Sequence, residues 1–233
     1  MHLSLDETPK WLDEHARFFL ASLYLEYIDD ILLKDGELQV LSADDLRKIE
    51  FLDLKLWCHK NGIYGIPSKE LIDIIKPHLV ENKSIEVGGG CGVFGRALDI
   101  PSTDSMIQAT PEMQAYYAAF GQPVVAYGKN VIGLEASDAI DSYEPEVVFG
   151  SWVTQYVAPD KPLPVGGGSV YGLRESEFLP KIKKYIVYGN DSNHGQKEIF
   201  KNKNFKVERI YNDAFFSRAT YPKSNCLYII THA

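Results

Sequence analysis

The residues of this chain that are best suited to chemistry form a glycine-rich turn with carboxylates before and after it. Residues 84–95 read SIEVGGGCGVFG, so a short apolar run leads into four glycines within five positions. Glycine has no Cβ, so such a turn can adopt positive φ and bring backbone N–H groups close to a ligand. The pattern predicts a buried parallel strand, a tight turn and a helix that together hold a nucleotide-shaped cofactor.

Two glycine spacings compete within this turn. The spacing Glu86-x-Gly88-x-Gly90-x-Gly92 resembles the first motif of class I S-adenosylmethionine-dependent methyltransferases. The spacing Gly90-x-Gly92-x-x-Gly95 fits the dinucleotide fingerprint and leaves a NAD-dependent oxidoreductase as an alternative. We favour the first, because the predicted strand stops at Gly88 rather than at Gly90. A surface turn without a ligand is the third interpretation.

The methyltransferase resemblance implies a role for each of several residues toward S-adenosylmethionine. Glu86 and the backbone of the glycines from Gly88 to Gly92 hold the methionine moiety. Asp104, sixteen positions after Gly88, accepts hydrogen bonds from the ribose hydroxyls, as a carboxylate can. Asp138 and Ala139 follow the third predicted strand and resemble the segment that recognises adenine. An Asx turn or a helix N-cap is the structural alternative for Asp104.

Two later strands end in residues that would face the transferred methyl group. Residues 146–152 form an apolar run that ends in Ser151 and Trp152, and the face of Trp152 suits a sulfonium cation. The Pro-Pro-aromatic pattern of amino-directed DNA methyltransferases is missing here. His194 follows a strand predicted over 184–188 and is the candidate general base. A structural or surface histidine is the alternative.

Apolar periodicity and turn residues predict the strands and helices of an α/β fold. The methyltransferase resemblance implies that they form a doubly wound, mostly parallel seven-stranded sheet whose last strand is antiparallel. We expect residues 1–80 to form a helical N-terminal cap and residues 81–233 a Rossmann-like S-adenosylmethionine-binding domain. Tyr64, in the segment between them, is a possible lid contact. The proline- and glycine-rich connection 157–174 either closes over the acceptor or is a passive insertion. Helices are expected over 8–33, 42–59, from Ser68, 93–98 and 110–120, and further strands over 131–134, 205–211 and 226–231.

Composition and net charge limit the kinds of partner and the cellular compartment that we expect for this chain. The 233 residues carry a net charge of −8, which argues against a general nucleic-acid partner and favours a small-molecule or protein acceptor over DNA. The three cysteines form no C-x-x-C pair, so no metal site is expected. A chain without a leader or a membrane span is expected to be cytoplasmic. The Phe149–Trp152 and Gly189–His194 segments are similar to those of methyltransferase-like proteins of bacteria and phages. A non-catalytic S-adenosylmethionine-binding module is the remaining alternative.

Overall fold

The computed structural model describes residues 25–119, 121–161 and 168–233, and a seven-stranded sheet lies at its centre. The strands lie in the order β6-β7-β5-β4-β1-β2-β3 across the sheet. The predicted fold class is confirmed. The strands are β1 (Ser84–Val87), β2 (Ser102–Asp104), β3 (Val131–Gly133), β4 (Val147–Ser151), β5 (Lys184–Asn190), β6 (Phe205–Tyr211) and β7 (Asn225–His232).

One strand of the sheet runs against all the others. Strands β1 to β5 pair in parallel, whereas β7 pairs antiparallel with both β5 and β6. The carboxyl ends of β1 to β5 therefore meet at one edge of the sheet, which is where ligands bind in open α/β sheets. This edge receives the glycine turn after β1 and the segments after β2, β3 and β4.

Side chains of the central strands alternate between two apolar cores, one on each face of the sheet. On β5, Ile186 and Tyr188 belong to one core and Tyr185 and Val187 to the other. A strand that is buried on both faces carries apolar side chains at almost every position. These strands could therefore be recognised in the sequence as continuous apolar runs. The leading helices pack into the first core, and the helix at residues 136–143 packs into the second.

The helices are short and begin where the sequence places capping residues. Ser42 Oγ accepts a hydrogen bond from the Asp45 N–H (3.1 Å), and Ser68 Oγ accepts one from the Leu71 N–H (3.0 Å). None of the helices in the three described ranges is long and apolar enough to cross a membrane. They are α1 (Glu26–Leu32), α2 (Ala43–Leu46), α3 (Phe51–Lys60), α4 (Lys69–Ile75), α5 (Val93–Leu98), α6 (Pro111–Ala119), α7 (Ala136–Tyr143), α8 (Glu175–Phe178) and α9 (Asp191–His194).

Two helix predictions differ from the structure. The helix expected over 42–59 is broken into α2 and α3, and the helix expected over 8–33 is described only from Glu26 onward, its first part lying outside the described residues. A short antiparallel pair, Leu33–Lys34 with Glu37–Leu38, follows α1 around the turn at Asp35 and Gly36. An Asp-Gly pair between apolar residues is a strong hairpin indicator.

A further antiparallel pair joins the leading part of the chain to its end. Gly65–Ile66 pairs with Phe216–Ser217, and the Arg218 N–H extends the contact by donating to the Tyr64 carbonyl at 3.0 Å. This pairing holds Tyr64 beside the carboxyl edge of the sheet. The leading helices share a core with the sheet, and a domain boundary at residue 80 stays a prediction.

Candidate functional site

The glycine turn after β1 has the backbone conformation that its sequence predicts. Gly88, Gly90 and Gly92 have φ values of 66°, 53° and 69°, in the left-handed region where only glycine is free of strain. A Cβ built on Gly88 would lie 2.7 Å from Val153 Cγ1. The turn is therefore tight, with the segment after β4 packed against it.

Asp104 fastens this turn to the end of the second strand. Its Oδ2 accepts a hydrogen bond from the Gly90 N–H and its Oδ1 accepts one from the Met106 N–H, both at 3.0 Å. Burial raises the pKa of the carboxyl above its usual value, and the two N–H donors oppose that shift. The side chain lines a cavity at the carboxyl edge, the position in which the sequence expected a ribose contact.

Glu86 lies beneath the turn. It is 1% exposed, and its Oε2 accepts hydrogen bonds from the Gly95 N–H (2.9 Å) and from Ser102 Oγ (2.6 Å). Burial raises its pKa to about 7. A β-strand points successive side chains to opposite faces, and Glu86 on β1 points toward helix α5 rather than toward the ligand edge. The expected contact between this carboxylate and the methionine moiety is corrected to a role in holding the helix against the sheet.

The cavity has a volume of about 300 Å³, at the lower end of the range for small-molecule sites. It is lined by the turn after β1, the end of β2, the start of α7 and the end of β4. Of the site residues expected from the sequence, the cavity is lined by Gly88, Gly90, Asp104, Ser151 and Trp152.

The segment after β3 reaches the cavity through residues adjacent to the predicted ones. Ala136 and Ser137 line the cavity, but Asp138 is exposed and Ala139 is fully buried in the second core. Helix α7 begins directly after Glu135, so each step along it turns the side chain by about 100°. The adenine contact was expected from the Asp138 carboxylate and a neighbouring N–H, but Asp138 does not line the cavity and the Ala139 N–H donates to the Glu135 carbonyl at 2.9 Å.

The sequence did not indicate that residues 121–130 would cover the glycine turn. The Gly128 N–H donates to the Gly90 carbonyl at 3.1 Å, and a Cβ on Gly128 would lie 2.2 Å from the Cys91 carbonyl oxygen. Val125 and Tyr127 line the cavity, and the Tyr127 hydroxyl hydrogen-bonds Asp104. The segment lacks apolar periodicity, and Gly128 is the glycine in it that marks the close backbone approach.

Trp152 occupies a strained position at the end of β4. Its φ is 58°, a genuine outlier for a bulky residue, and its N–H donates to the Tyr188 carbonyl at 2.8 Å. Its indole Nε1 is buried and has no hydrogen-bond partner among the described residues. Trp152 lines the cavity, as expected from its place after the fourth strand.

His194 holds this tryptophan rather than facing the cofactor cavity. It is 1% exposed, its Nδ1 accepts a hydrogen bond from the Asn190 N–H (3.0 Å), and its ring meets the Trp152 ring edge-on at 5.2 Å between centroids. Burial lowers its pKa to about 3, opposed in part by a hydrogen bond to the Trp152 backbone. The Nδ1 atom is engaged by the Asn190 backbone. His194 does not line the cofactor cavity, and the general-base role expected for it stays a prediction.

Tyr64 is a wall of the cavity. Its ring lies 6.1 Å from the Trp152 ring between centroids, and its hydroxyl hydrogen-bonds Tyr117, which also lines the cavity. In the 157–174 connection, residues 171–174 line the cavity too, and the Arg174 guanidinium lies 3.6 Å from the Tyr156 ring centroid. Residues 162–167 of this connection lie outside the described part. In the described ranges, no group of His, Cys, Asp and Glu side chains is arranged to hold a metal ion.

Comparisons with known proteins show similarity in the backbone fold alone. No family model matches this chain, and no curated protein matches it. Among solved structures, it is similar to a precorrin-6y C5,15-methyltransferase from Geobacter metallireducens GS-15, with 15% identity, a TM-score of 0.39, and coverage of 72% of this chain and 89% of that one. It is also similar to a putative caffeoyl-CoA O-methyltransferase from Staphylococcus aureus, with 16% identity, a TM-score of 0.39, and coverage of 92% and 100%.

Proposed function

We propose that this chain is an S-adenosylmethionine-dependent methyltransferase that binds its cofactor in the cavity at the ends of β1, β2 and β3. One observation carries the proposal: the left-handed glycine turn, the Asp104 carboxylate and the start of α7 all line a single cavity. Their order along the chain is the order that the methyltransferase resemblance implies. The reversed last strand of the sheet is a second point of agreement.

Asp104 suits the ribose of such a cofactor. A carboxylate offers about four lone-pair positions, and the Gly90 and Met106 N–H groups use two of them. The hydroxyls of Ser105 and Tyr127 also hydrogen-bond this carboxylate. The two ribose hydroxyls are donors of the same kind, so they would replace Ser105 and Tyr127 without leaving the carboxylate unpaired.

The other walls suit the remaining parts of the cofactor. Ile107 and Leu134 supply apolar surface for a base, and the N–H groups of Ala136 and Ser137, in the first turn of α7, have no partner within that helix. The ring of Trp152 offers a π face to a sulfonium cation. The ribose, the base and the sulfonium of S-adenosylmethionine therefore each have a wall of matching chemistry.

Methyl transfer asks little more of the protein than positioning. When bound, S-adenosylmethionine would supply a methyl group whose leaving group, a positively charged sulfur, is already activated. The walls of the cavity would hold that methyl group in line with a nucleophilic atom of the acceptor, and the acceptor proton would pass to water. Holding the two reactants in line can supply a large share of the rate enhancement. No side chain has to remove the proton, which agrees with a buried and engaged His194.

Calorimetric titration of the purified chain with S-adenosylmethionine, S-adenosylhomocysteine and NAD tests the proposal. We expect the two adenosyl ligands to bind, and Asp104→Ala to weaken them by about 10- to 100-fold, the scale of losing a charged hydrogen-bond partner. Alanine is preferred to asparagine because an amide N–H would point at the Gly90 or Met106 N–H. The matched control is Asp138→Ala, which removes an exposed carboxylate and should change affinity less than threefold.

The outcomes separate the alternatives. Binding of NAD without the adenosyl ligands would replace the proposal by a dinucleotide-dependent activity. Tight binding of S-adenosylmethionine with no release of S-adenosylhomocysteine in the presence of any acceptor pool would instead favour a non-catalytic module. Equal affinity losses for the Asp104 and Asp138 variants would remove the assignment of the ribose to the end of β2.

A further inference from the structure

A second cavity of about 280 Å³ adjoins the proposed cofactor site. Tyr64, Trp152 and Thr154 line both cavities, so the two cavities meet at these residues. The second cavity therefore lies directly beyond the residues that border the cofactor, at the ends of β4 and β5. Its remaining lining residues are His59, Asn193, His194, Arg218, Ala219 and Thr220.

The charge of this second cavity is positive. Arg218 is half-buried in its wall, and the Lys55 ammonium donates to Thr220 Oγ1 at 3.2 Å on its rim. None of its lining residues is acidic. The pKa of His59 is lowered to about 4, first by burial and then by the positive charges of Arg218 and Lys55. A half-buried positive group in a chain of net charge −8 is a local departure from the overall charge.

Arg218 is held in a geometry that leaves its hydrogen-bonding edge available. Its guanidinium carbon lies 3.4 Å from the Tyr64 ring centroid, and its backbone N–H donates to the Tyr64 carbonyl. Stacking occupies the face of the guanidinium and leaves its in-plane N–H groups to an acceptor. Across the described ranges, Arg218 forms no ion pair with a carboxylate.

The carboxylate of Asp191, two positions before the lining residue Asn193, is engaged by other groups and forms no ion pair with Arg218. Its two oxygens accept hydrogen bonds from the hydroxyls of Tyr211 (2.5 Å) and Tyr228 (2.6 Å). The Arg218 guanidinium is fixed by stacking, borders a cavity and has no counter-ion among the described residues. Its in-plane N–H groups match the two-oxygen edge of a carboxylate or a phosphate.

We propose that the second cavity binds a small acceptor that carries a carboxylate or phosphate group, with Arg218 as the partner of that anion. The inference deepens the proposed methyl transfer, on which it rests, by giving the chemical class of the acceptor. The anion would sit on the side of Tyr64 that faces away from the glycine turn. The nucleophilic end of the acceptor would lie toward Trp152.

Anion binding is measured by calorimetry with inorganic phosphate and with benzoate as probes, at constant ionic strength set with chloride, with and without S-adenosylhomocysteine. We expect Arg218→Gln to weaken both probes at least tenfold, and Arg218→Lys, which keeps the charge but loses the fork, to weaken them by a smaller factor. The matched control is Arg209→Gln, because Arg209 also lies over aromatic rings but is exposed on β6. That variant should bind both probes like the wild type.

Failure of this inference differs from failure of the proposed function. Normal binding of S-adenosylhomocysteine together with equal anion affinities for Arg218→Gln and Arg209→Gln would overturn the anionic acceptor and leave the cofactor site standing. The wild type could instead bind the anions but no adenosyl ligand, with anion binding lost in Arg218→Gln. That result would support the anion pocket and overturn the methyltransferase proposal. Melting temperatures of the variants establish that each is folded, and Arg218→Lys stays informative if Arg218→Gln is not.

Discussion

Replacing Glu86 by glutamine distinguishes a buried support of the glycine turn from a contact to the cofactor. Glutamine has the same shape, and its amide oxygen can accept the same hydrogen bonds from the Gly95 N–H and Ser102 Oγ that Glu86 Oε2 accepts. The substitution therefore removes the ionisable group and little else. What changes is the dependence of stability on pH.

The size of the effect follows from the pKa. Burial raises the pKa of Glu86 from 4.5 to about 7 in the folded chain. The folded state thus holds a proton that the unfolded state has lost, so the contribution to stability is fully present below about pH 4.5 and is lost as the pH rises through about 7. At about 1.4 kcal/mol per pH unit, the wild type loses about 2 to 3 kcal/mol between pH 5 and pH 8.5 on account of this residue.

Urea unfolding, followed by tryptophan fluorescence at pH 5 and pH 8.5, measures this loss. The buried histidines His59 and His194, whose pKa values are lowered, make stability rise with pH over the acidic range, but they are present in both proteins and cancel in the comparison. We expect Glu86→Gln to gain about 2 to 3 kcal/mol relative to the wild type between the two pH values. Glu112→Gln, an exposed position on α6, is the control and should follow the wild type.

Two results would refute this reasoning. If Glu86→Gln and the wild type lose equal stability between pH 5 and pH 8.5, the carboxyl is not a buried acid held protonated by its surroundings. If Glu86→Gln weakens S-adenosylmethionine tenfold or more while the chain stays folded, the carboxylate contacts the cofactor, contrary to its position under the turn. We expect the affinity to change less than threefold, because Glu86 does not line the cavity.

Two further substitutions test the supports of the site. Gly128→Val places a Cβ 2.2 Å from the Cys91 carbonyl oxygen. We therefore expect urea unfolding to show about 2 kcal/mol or more of lost stability, and calorimetry to show at least a tenfold loss of S-adenosylmethionine affinity. An affinity equal to that of the wild type would show that residues 121–130 do not shape the cavity. His194→Ala leaves the buried Asn190 N–H without its acceptor, so we expect urea unfolding to show a loss of about 1 to 3 kcal/mol in stability. The pH dependence of cofactor affinity between pH 6 and pH 9 should stay that of the wild type. A changed pH dependence would show that His194 titrates in the working site.

The strands and several helices could be predicted because their residues carry the pattern locally. Helix α5 was predicted with its observed bounds, Val93–Leu98, from the glycine before it and the proline after it. Strand β6 was predicted as Phe205–Tyr211 from alternating apolar residues. In both cases, short-range properties of the chain decide the structure.

The walls of the cavity depend on contacts between residues far apart in the chain, and these carry no local pattern. Tyr64 is positioned by a two-residue strand pair with residues 216–217, about 150 positions later. Gly128 crosses the glycine turn without any periodicity around it. Asp138 lies outside the cavity for a different reason: the side chains that face the cavity depend on where helix α7 begins, to within one residue.

The strain at Trp152 connects the two cavities. A bulky residue with φ of 58° costs about 1 to 3 kcal/mol, and such a conformation persists only where neighbouring groups enforce it. Here the enforcing groups are identifiable: the Tyr188 carbonyl accepts the Trp152 N–H, and the buried His194 ring packs against the indole. A relaxed, extended residue at this position would continue β4 instead of turning its ring into the wall that both cavities share. The fold therefore tolerates this strain and keeps the Trp152 ring at the border of both cavities, beside the path between the proposed cofactor and its acceptor.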